Sequence, residues 1–88
     1  MDRSIELYKV VKAHFKYKPY TIGVKKTHSS YVVMITYSVR LSMEVYFPIY
    51  VIHHFLDLTG KEREQWRDYI NAKLDITVFE HMELPEVF

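Results

Sequence analysis

The chain has 88 residues, no cysteine and a formal net charge of +1 at pH 7. Its length suits one domain, since domains seldom fall below about 50 residues. The absence of cysteine excludes a disulfide framework and thiolate metal sites, and the eight tyrosines and five phenylalanines exclude a disordered chain.

Residues 3–18 match two patterns at once. In the first, a helix begins behind a cap at Asp2 or Ser4, and its apolar stripe comprises Leu7, Tyr8, Val11 and Phe15. In the second, apolar residues occupy the odd positions from 11 to 17, as in a strand. We favour a helix over residues 3–11 followed by extended chain.

The middle of the chain has the pattern of β-structure. Residues 20–26 alternate, residues 26–30 form a polar connector, and residues 31–47 are apolar at every odd position. A period of two is typical of strands with one buried face. This run is longer than an ordinary strand, so it predicts a turn near residues 38–42 and a hairpin of 20–26 with 31–38.

Two helices are predicted after these strands. Pro48 suits the first position of a helix over residues 49–58 that is apolar almost all round. Thr59 and Glu62 have the spacing of a capping box. The helix that they open has an apolar face formed by Trp66, Tyr69, Ile70 and Leu74. Residues 76–81 are predicted to form a last short strand.

This order of elements predicts an α+β fold. We expect a single globular domain over residues 1–82, with an antiparallel sheet of three to four strands packed against two or three helices and a C-terminal tail at 83–88. No apolar run approaches the about 20 residues of a transmembrane helix, and the charged residues 1–6 do not resemble a secretion signal. We therefore expect a cytoplasmic protein with no membrane partner.

Charge is distributed unevenly along the chain. No acidic residue occurs from Leu7 to Met43, whereas eight acidic residues and four basic ones follow from Asp57 onward. A basic surface is therefore expected from the first half of the chain. Its candidate binding residues are Lys12, Lys16, Lys18, Lys25, Lys26 and Arg40.

A nucleic-acid-binding function is one interpretation of this surface. Residues 14–20 interleave cations with aromatic rings, as proteins that bind single strands do. In an extended segment, however, Phe15 and Tyr17 point into the core, which removes the stacking platform, and the net charge is far below that of a typical basic binder. Nucleic-acid binding through residues 12–26 is therefore the alternative hypothesis.

The histidines offer little for a metal site. Tyr50, His53, His54 and Asp57 share one face of a helix, with Glu80 or His81 as a distant third ligand. No second spaced pair and no H-E-x-x-H pattern accompany them. The interpretation that we favour is a polar stripe facing water, in which Asp57 pairs with a histidine, and we expect no metal and no cofactor.

Catalytic motifs are not found in the sequence. It contains no nucleophile elbow, no glycine-rich phosphate loop and no convincing pair of carboxylates. His28, Ser29 and Ser30 have the composition of a turn. We expect no enzymatic activity and no small-molecule substrate.

Protein binding is the function that remains. Trp66 has core spacing and is expected to be buried, but so many tyrosines and phenylalanines are hard to hide, so some are expected to form a surface patch. Small single-domain adaptors and inhibitors of the kind that viruses and mobile elements encode have this profile. The tail at 83–88 is a further candidate for docking on a partner.

Self-association is also expected. The basic residues 7–43 and the acidic residues 57–88 are complementary, so two copies can pair about a two-fold axis to form a homodimer. The competing expectation is that both charged halves are satisfied within one monomer.

Overall fold

Three helices and three strands are formed within residues 1–83, the part of the chain that the computed structural model describes. They follow one another as α1 (Ser4–His14), β1 (Thr21–Lys26), β2 (Ser30–Ser38), β3 (Leu41–Pro48), α2 (Ile49–Asp57) and α3 (Gly60–Val78). A π-helical turn at Phe79–Glu83 continues from α3. The predicted α+β class, with three strands and three helices, is confirmed.

The strands form an antiparallel sheet in the order β1-β2-β3. In the register, Val33 lies opposite Val24 on one side and Val45 on the other. The predicted hairpin is confirmed, and so is the turn near residues 38–42, where the register shifts between Thr36 and Ser38. One face of the sheet is therefore assembled from every second residue of all three strands.

The helices cover one face of the sheet. The buried cluster contains alternate strand residues such as Tyr31, Val33 and Ile35 together with the buried residues of α1, α2 and α3. Val32 points to the other face, which we call the open face, and lies in register between Lys25 and Tyr46. On this face the Tyr46 hydroxyl donates to Glu44 at 3.0 Å, a bond that raises the pKa of Tyr46.

The N-terminal segment is more helical than its sequence suggested. The helix is confirmed, but it continues to His14, and the extended chain predicted after residue 11 is wrong because residues 15–19 form a turn. Leu7, Val11 and Phe15 recur every four residues and are all buried. Packing of these side chains against the sheet therefore stabilises the helix.

Helix α3 begins where the sequence predicts, but it lacks the predicted cap and ends later than predicted. Thr59 is the N-cap residue, but its side chain forms no capping hydrogen bond, so the predicted capping box is wrong. The strand predicted over residues 76–81 is also wrong, because α3 extends to Val78. Val78 is buried four residues after Leu74 and prolongs the core-facing stripe. Of the tail predicted at 83–88, residues 84–88 lie outside the described residues.

A buried hydroxyl joins three elements of the fold. Tyr31 in β2 has 0% of its surface exposed. Its hydroxyl accepts a hydrogen bond from the backbone amide of Arg3 at 2.9 Å and shares another with His53 Nε2 at 2.7 Å. The side chain of Arg3 adds a second link, because its guanidinium donates to Asp57 at the end of α2 at 2.6 Å. The start of α1 and the middle of α2 are thereby fixed to the sheet.

Replacing this hydroxyl should destabilise the fold. Tyr31→Phe keeps the ring but removes a partner from His53 and from the Arg3 amide, which should lower the free energy of unfolding by about 1–3 kcal/mol. Urea denaturation followed by circular dichroism measures this difference. The matched control is Tyr17→Phe, because Tyr17 is exposed and should lose nothing. Equal denaturation midpoints for the two variants would show that the hydroxyl does not stabilise the fold.

Candidate interaction surface

Three of the six candidate basic residues lie at or just after the end of α1. Lys12 is exposed on α1, and Lys16 and Lys18 lie in the turn that follows. Tyr17, which the sequence placed in the core, is 89% exposed, and Lys16 Nζ lies 5.3 Å from the centre of its ring. This turn therefore does present one aromatic ring among lysines.

The remaining candidate basic residues lie elsewhere. Lys25 is on the open face, 3.9 Å from Glu44. Lys26 follows it along β1 and so points to the opposite face, where hydrogen bonds from Ser4 and the charge of Lys26 lower the pKa of Asp2. Arg40 is in the β2–β3 turn at the far end of the sheet from Lys26. The structure thus divides the six basic residues and does not gather them on one face.

The polar residues of α2 serve the fold. His53 is bonded to the Tyr31 hydroxyl, and the His54 ring packs edge-on against Trp66 with ring centres 4.9 Å apart. Asp57 pairs with Arg3, so the expected pairing of Asp57 with a histidine is wrong. Within the described part of the chain, no group of three His, Cys, Asp or Glu side chains could hold a metal ion.

A polar cleft of about 480 Å³ separates α1 from α3. His14 Nε2 lies 2.7 Å from an Asp75 carboxylate oxygen at its edge. Asn71 is 8% exposed in its lining, and its Oδ1 has no hydrogen-bond partner among the described residues. An aspartate can orient a histidine as a general base, but none of the described residues that line this cleft is a Ser, Thr or Cys that could act as a nucleophile.

Helix α3, together with Phe79 at the start of the π-helical turn that follows it, carries a second apolar stripe that faces away from the core. Tyr69, Ile76 and Phe79 are 61%, 58% and 52% exposed, and Ala72 between them is exposed as well. We call these four residues the α3 stripe. Their spacing of three, four and three residues is that of the contact seam in a coiled coil. An apolar seam of this kind is suited to packing against another helix.

A groove adjoins the α3 stripe and shares Tyr69 with it. We call it the Trp66 groove; its volume is about 560 Å³, and its lining residues are Phe47, Pro48, Val51, Gln65, Trp66, Tyr69 and Lys73. Lys73 Nζ lies 5.1 Å from the centre of the Phe47 ring. The sequence predicts that Trp66 is buried, but the structure shows it only partly buried against the core. Part of its ring therefore lines the groove.

The spacing of the α3 stripe is present in the sequence. Residues 69, 72, 76 and 79 share one side only if the backbone is helical through all four, as it is where the π-helical turn follows α3 directly. The predicted strand over residues 76–81 instead places Ile76 and Phe79 in a different element from Tyr69 and Ala72. Tyr69 was also assigned to the core face, whereas the structure places it on the exposed side.

Comparison of the chain with family models, curated proteins and solved structures gives no match. Within residues 1–83, no helix combines the length and the apolar character needed to cross a bilayer. Functional inference therefore rests on the surfaces described above.

Zinc should leave the melting temperature unchanged at stoichiometric concentration. His53 is hydrogen-bonded to Tyr31, and within residues 1–83 no group of three His, Cys, Asp or Glu side chains could hold the ion. A ligand stabilises a fold only when it binds the native state better than the unfolded chain. Differential scanning fluorimetry provides the measurement. A rise of several degrees that His54→Ala abolishes would contradict this interpretation of the α2 histidines.

Proposed function

We propose that the chain is a small non-enzymatic interaction protein, which binds another protein through the Trp66 groove and the α3 stripe. The observation that carries this proposal is the exposure of Tyr69, Ile76 and Phe79 beside a groove walled by apolar side chains. Exposed apolar side chains that cluster in this way are characteristic of protein–protein contact sites.

The groove favours a partner of particular chemistry. Trp66 and Tyr69 belong to the residue types that dominate binding energy at interfaces. The Trp66 ring is held by His54 and the core, so little side-chain entropy is lost when a partner packs on it. Among the described residues, Lys73 is the one charged residue in the lining. These features suit an apolar side chain of the partner with a carboxylate beside it.

Nucleic-acid binding through residues 12–26 is the second candidate. The exposed Tyr17 ring beside Lys16 supports it, since bases stack on such rings. Against it, Lys25 lies beside Glu44, and Lys26 and Arg40 lie at opposite ends of the sheet. The turn offers one exposed ring, whereas the Trp66 groove and the α3 stripe together offer Trp66, Tyr69, Ile76 and Phe79, so we favour protein binding.

A charge placed in the groove should abolish partner binding. Val51→Lys introduces an ammonium group among the apolar walls, while Val39→Lys makes the same change at a fully exposed turn residue. Each variant and the unchanged chain are immobilised and exposed to extract from the cells that produce the protein, and the retained proteins are quantified by mass spectrometry. We expect a protein that the unchanged chain and Val39→Lys retain, and that Val51→Lys loses at least tenfold.

The melting temperatures of both variants serve as the control for folding. Retention of the same proteins in equal amounts by all three chains would contradict the assignment of the groove. Retention of nucleic acid in place of protein, equally by all three chains, would favour the second candidate.

A further inference from the structure

The polar cleft between α1 and α3 contains a buried acceptor that the fold does not satisfy. Asn71 lines this cleft and is only 8% exposed, and its Oδ1 has no hydrogen-bond partner among the described residues. An acceptor that is buried without a donor destabilises the fold, and such atoms are rare in proteins. The terminal amide of an asparagine has a broad torsional profile, so a small rotation turns Oδ1 toward a donor in the cleft.

The charges beside Asn71 favour a donor that is positively charged. Asp68 lies three residues before Asn71 and Asp75 four residues after it, so all three share one side of α3. The basic side chains of the lining already face these carboxylates. Arg67 donates to Asp68 at 3.2 Å, and His14 Nε2 donates to Asp75 Oδ1 at 2.7 Å. Both oxygens of a carboxylate accept hydrogen bonds, so Asp75 has capacity for a second donor.

The apolar part of the cleft suits a short alkyl chain. Val10 and Ala13 line it from α1, and Ala72 lines it from α3. Its volume of about 480 Å³ lies within the range of small-molecule sites. A chain of a few carbon atoms that packs on these side chains brings its end to the acceptors of Asn71 and Asp75.

We infer that the polar cleft binds a primary ammonium group at the end of a short alkyl chain, with Asn71 Oδ1 and Asp75 accepting its N–H groups. Small aliphatic amines have this chemistry, and so does the lysine side chain of another protein. The Asp75 side chain is 55% exposed, and exposed charges contribute little to binding. We therefore expect a dissociation constant on the order of millimolar for a small amine.

An NMR titration with n-butylamine tests the site, because this amine has the carbon chain and the ammonium group of a lysine side chain. We expect saturable shifts of the backbone amides of residues 10–14 and 67–75. Butyltrimethylammonium is the matched control ligand, since it keeps the charge and the chain but has no N–H group to donate. It should bind about tenfold more weakly. Equal binding of the two cations would overturn the site.

Two substitutions test the acceptors. Asn71→Leu keeps the approximate size of the side chain and removes its oxygen, so butylamine binding should be lost while the melting temperature does not fall. A lower melting temperature would show that the amide serves the fold and would overturn the site. Asp75→Asn should weaken binding by about fivefold or more. Its matched control is Glu62→Gln, which removes one charge from the first turn of α3 outside the cleft and should bind like the unchanged chain.

A capped peptide with a single lysine distinguishes the two sources of the ammonium group. Binding of the peptide about tenfold more tightly than butylamine assigns the site to a lysine of another protein, and equal or weaker binding assigns it to a free amine. No saturable shift with either probe would overturn the site. That result leaves the proposed function intact, because the polar cleft and the Trp66 groove share no lining residue among those described.

Discussion

Ile70, Leu74 and Val78 fix α3 to the sheet, and the direction in which they point determines what the rest of the helix exposes. A three-stranded sheet with helices on one face can bury only one side of each helix. Helix α3 has apolar residues on two sides. Once the first side is packed, Tyr69 and Ile76 have no described element left to cover them.

The hydroxyl of Tyr31 supports this arrangement from the other side of the core. It joins the start of α1 and His53 of α2 to β2, and α2 in turn presents His54 to the ring of Trp66. The Trp66 groove is thus built on residues whose positions the core determines. A binding surface that is rigid before contact loses less entropy when a partner arrives.

The charge asymmetry that stands out in the sequence contributes less to this account. His14 in the basic half pairs with Asp75 in the acidic half within one copy, and Arg3 pairs with Asp57. The acidic groups Glu6 and Asp57 beside Arg3 raise the pKa of its guanidinium further above its usual value. Two carboxylates of the acidic half, Asp57 and Asp75, are therefore engaged within the monomer, and the apolar stripe becomes the stronger reason to expect binding of a partner.

Much of the fold could be predicted from the sequence, whereas the candidate surface becomes apparent only when α3 is known to extend past residue 76. The strands could be predicted because Val33, Val45 and their neighbours alternate with polar residues. The alternation is regular because the helices cover only one face of the sheet. The error at residues 76–81 has a physical cause. Ile76 lies on the outward side of α3 and Val78 on its core-facing side. Apolar residues from both sides of one helix therefore fall two positions apart, which is also the period of a strand. The residues of the α3 stripe share one side of a helix only if the helix continues past residue 76. The strand-like pattern of residues 76–81 obscures that continuation.

The central claim is that the outward side of α3 is the surface through which this protein makes contact. Amide chemical shifts, recorded by NMR on the isotope-labelled chain as a protein that it retains from cell extract is added, test it most directly. The account predicts changes grouped along residues 65–80, with residues of the open face such as Lys25 and Glu44 unchanged. Changes confined to the open face or to residues 12–18 would contradict it.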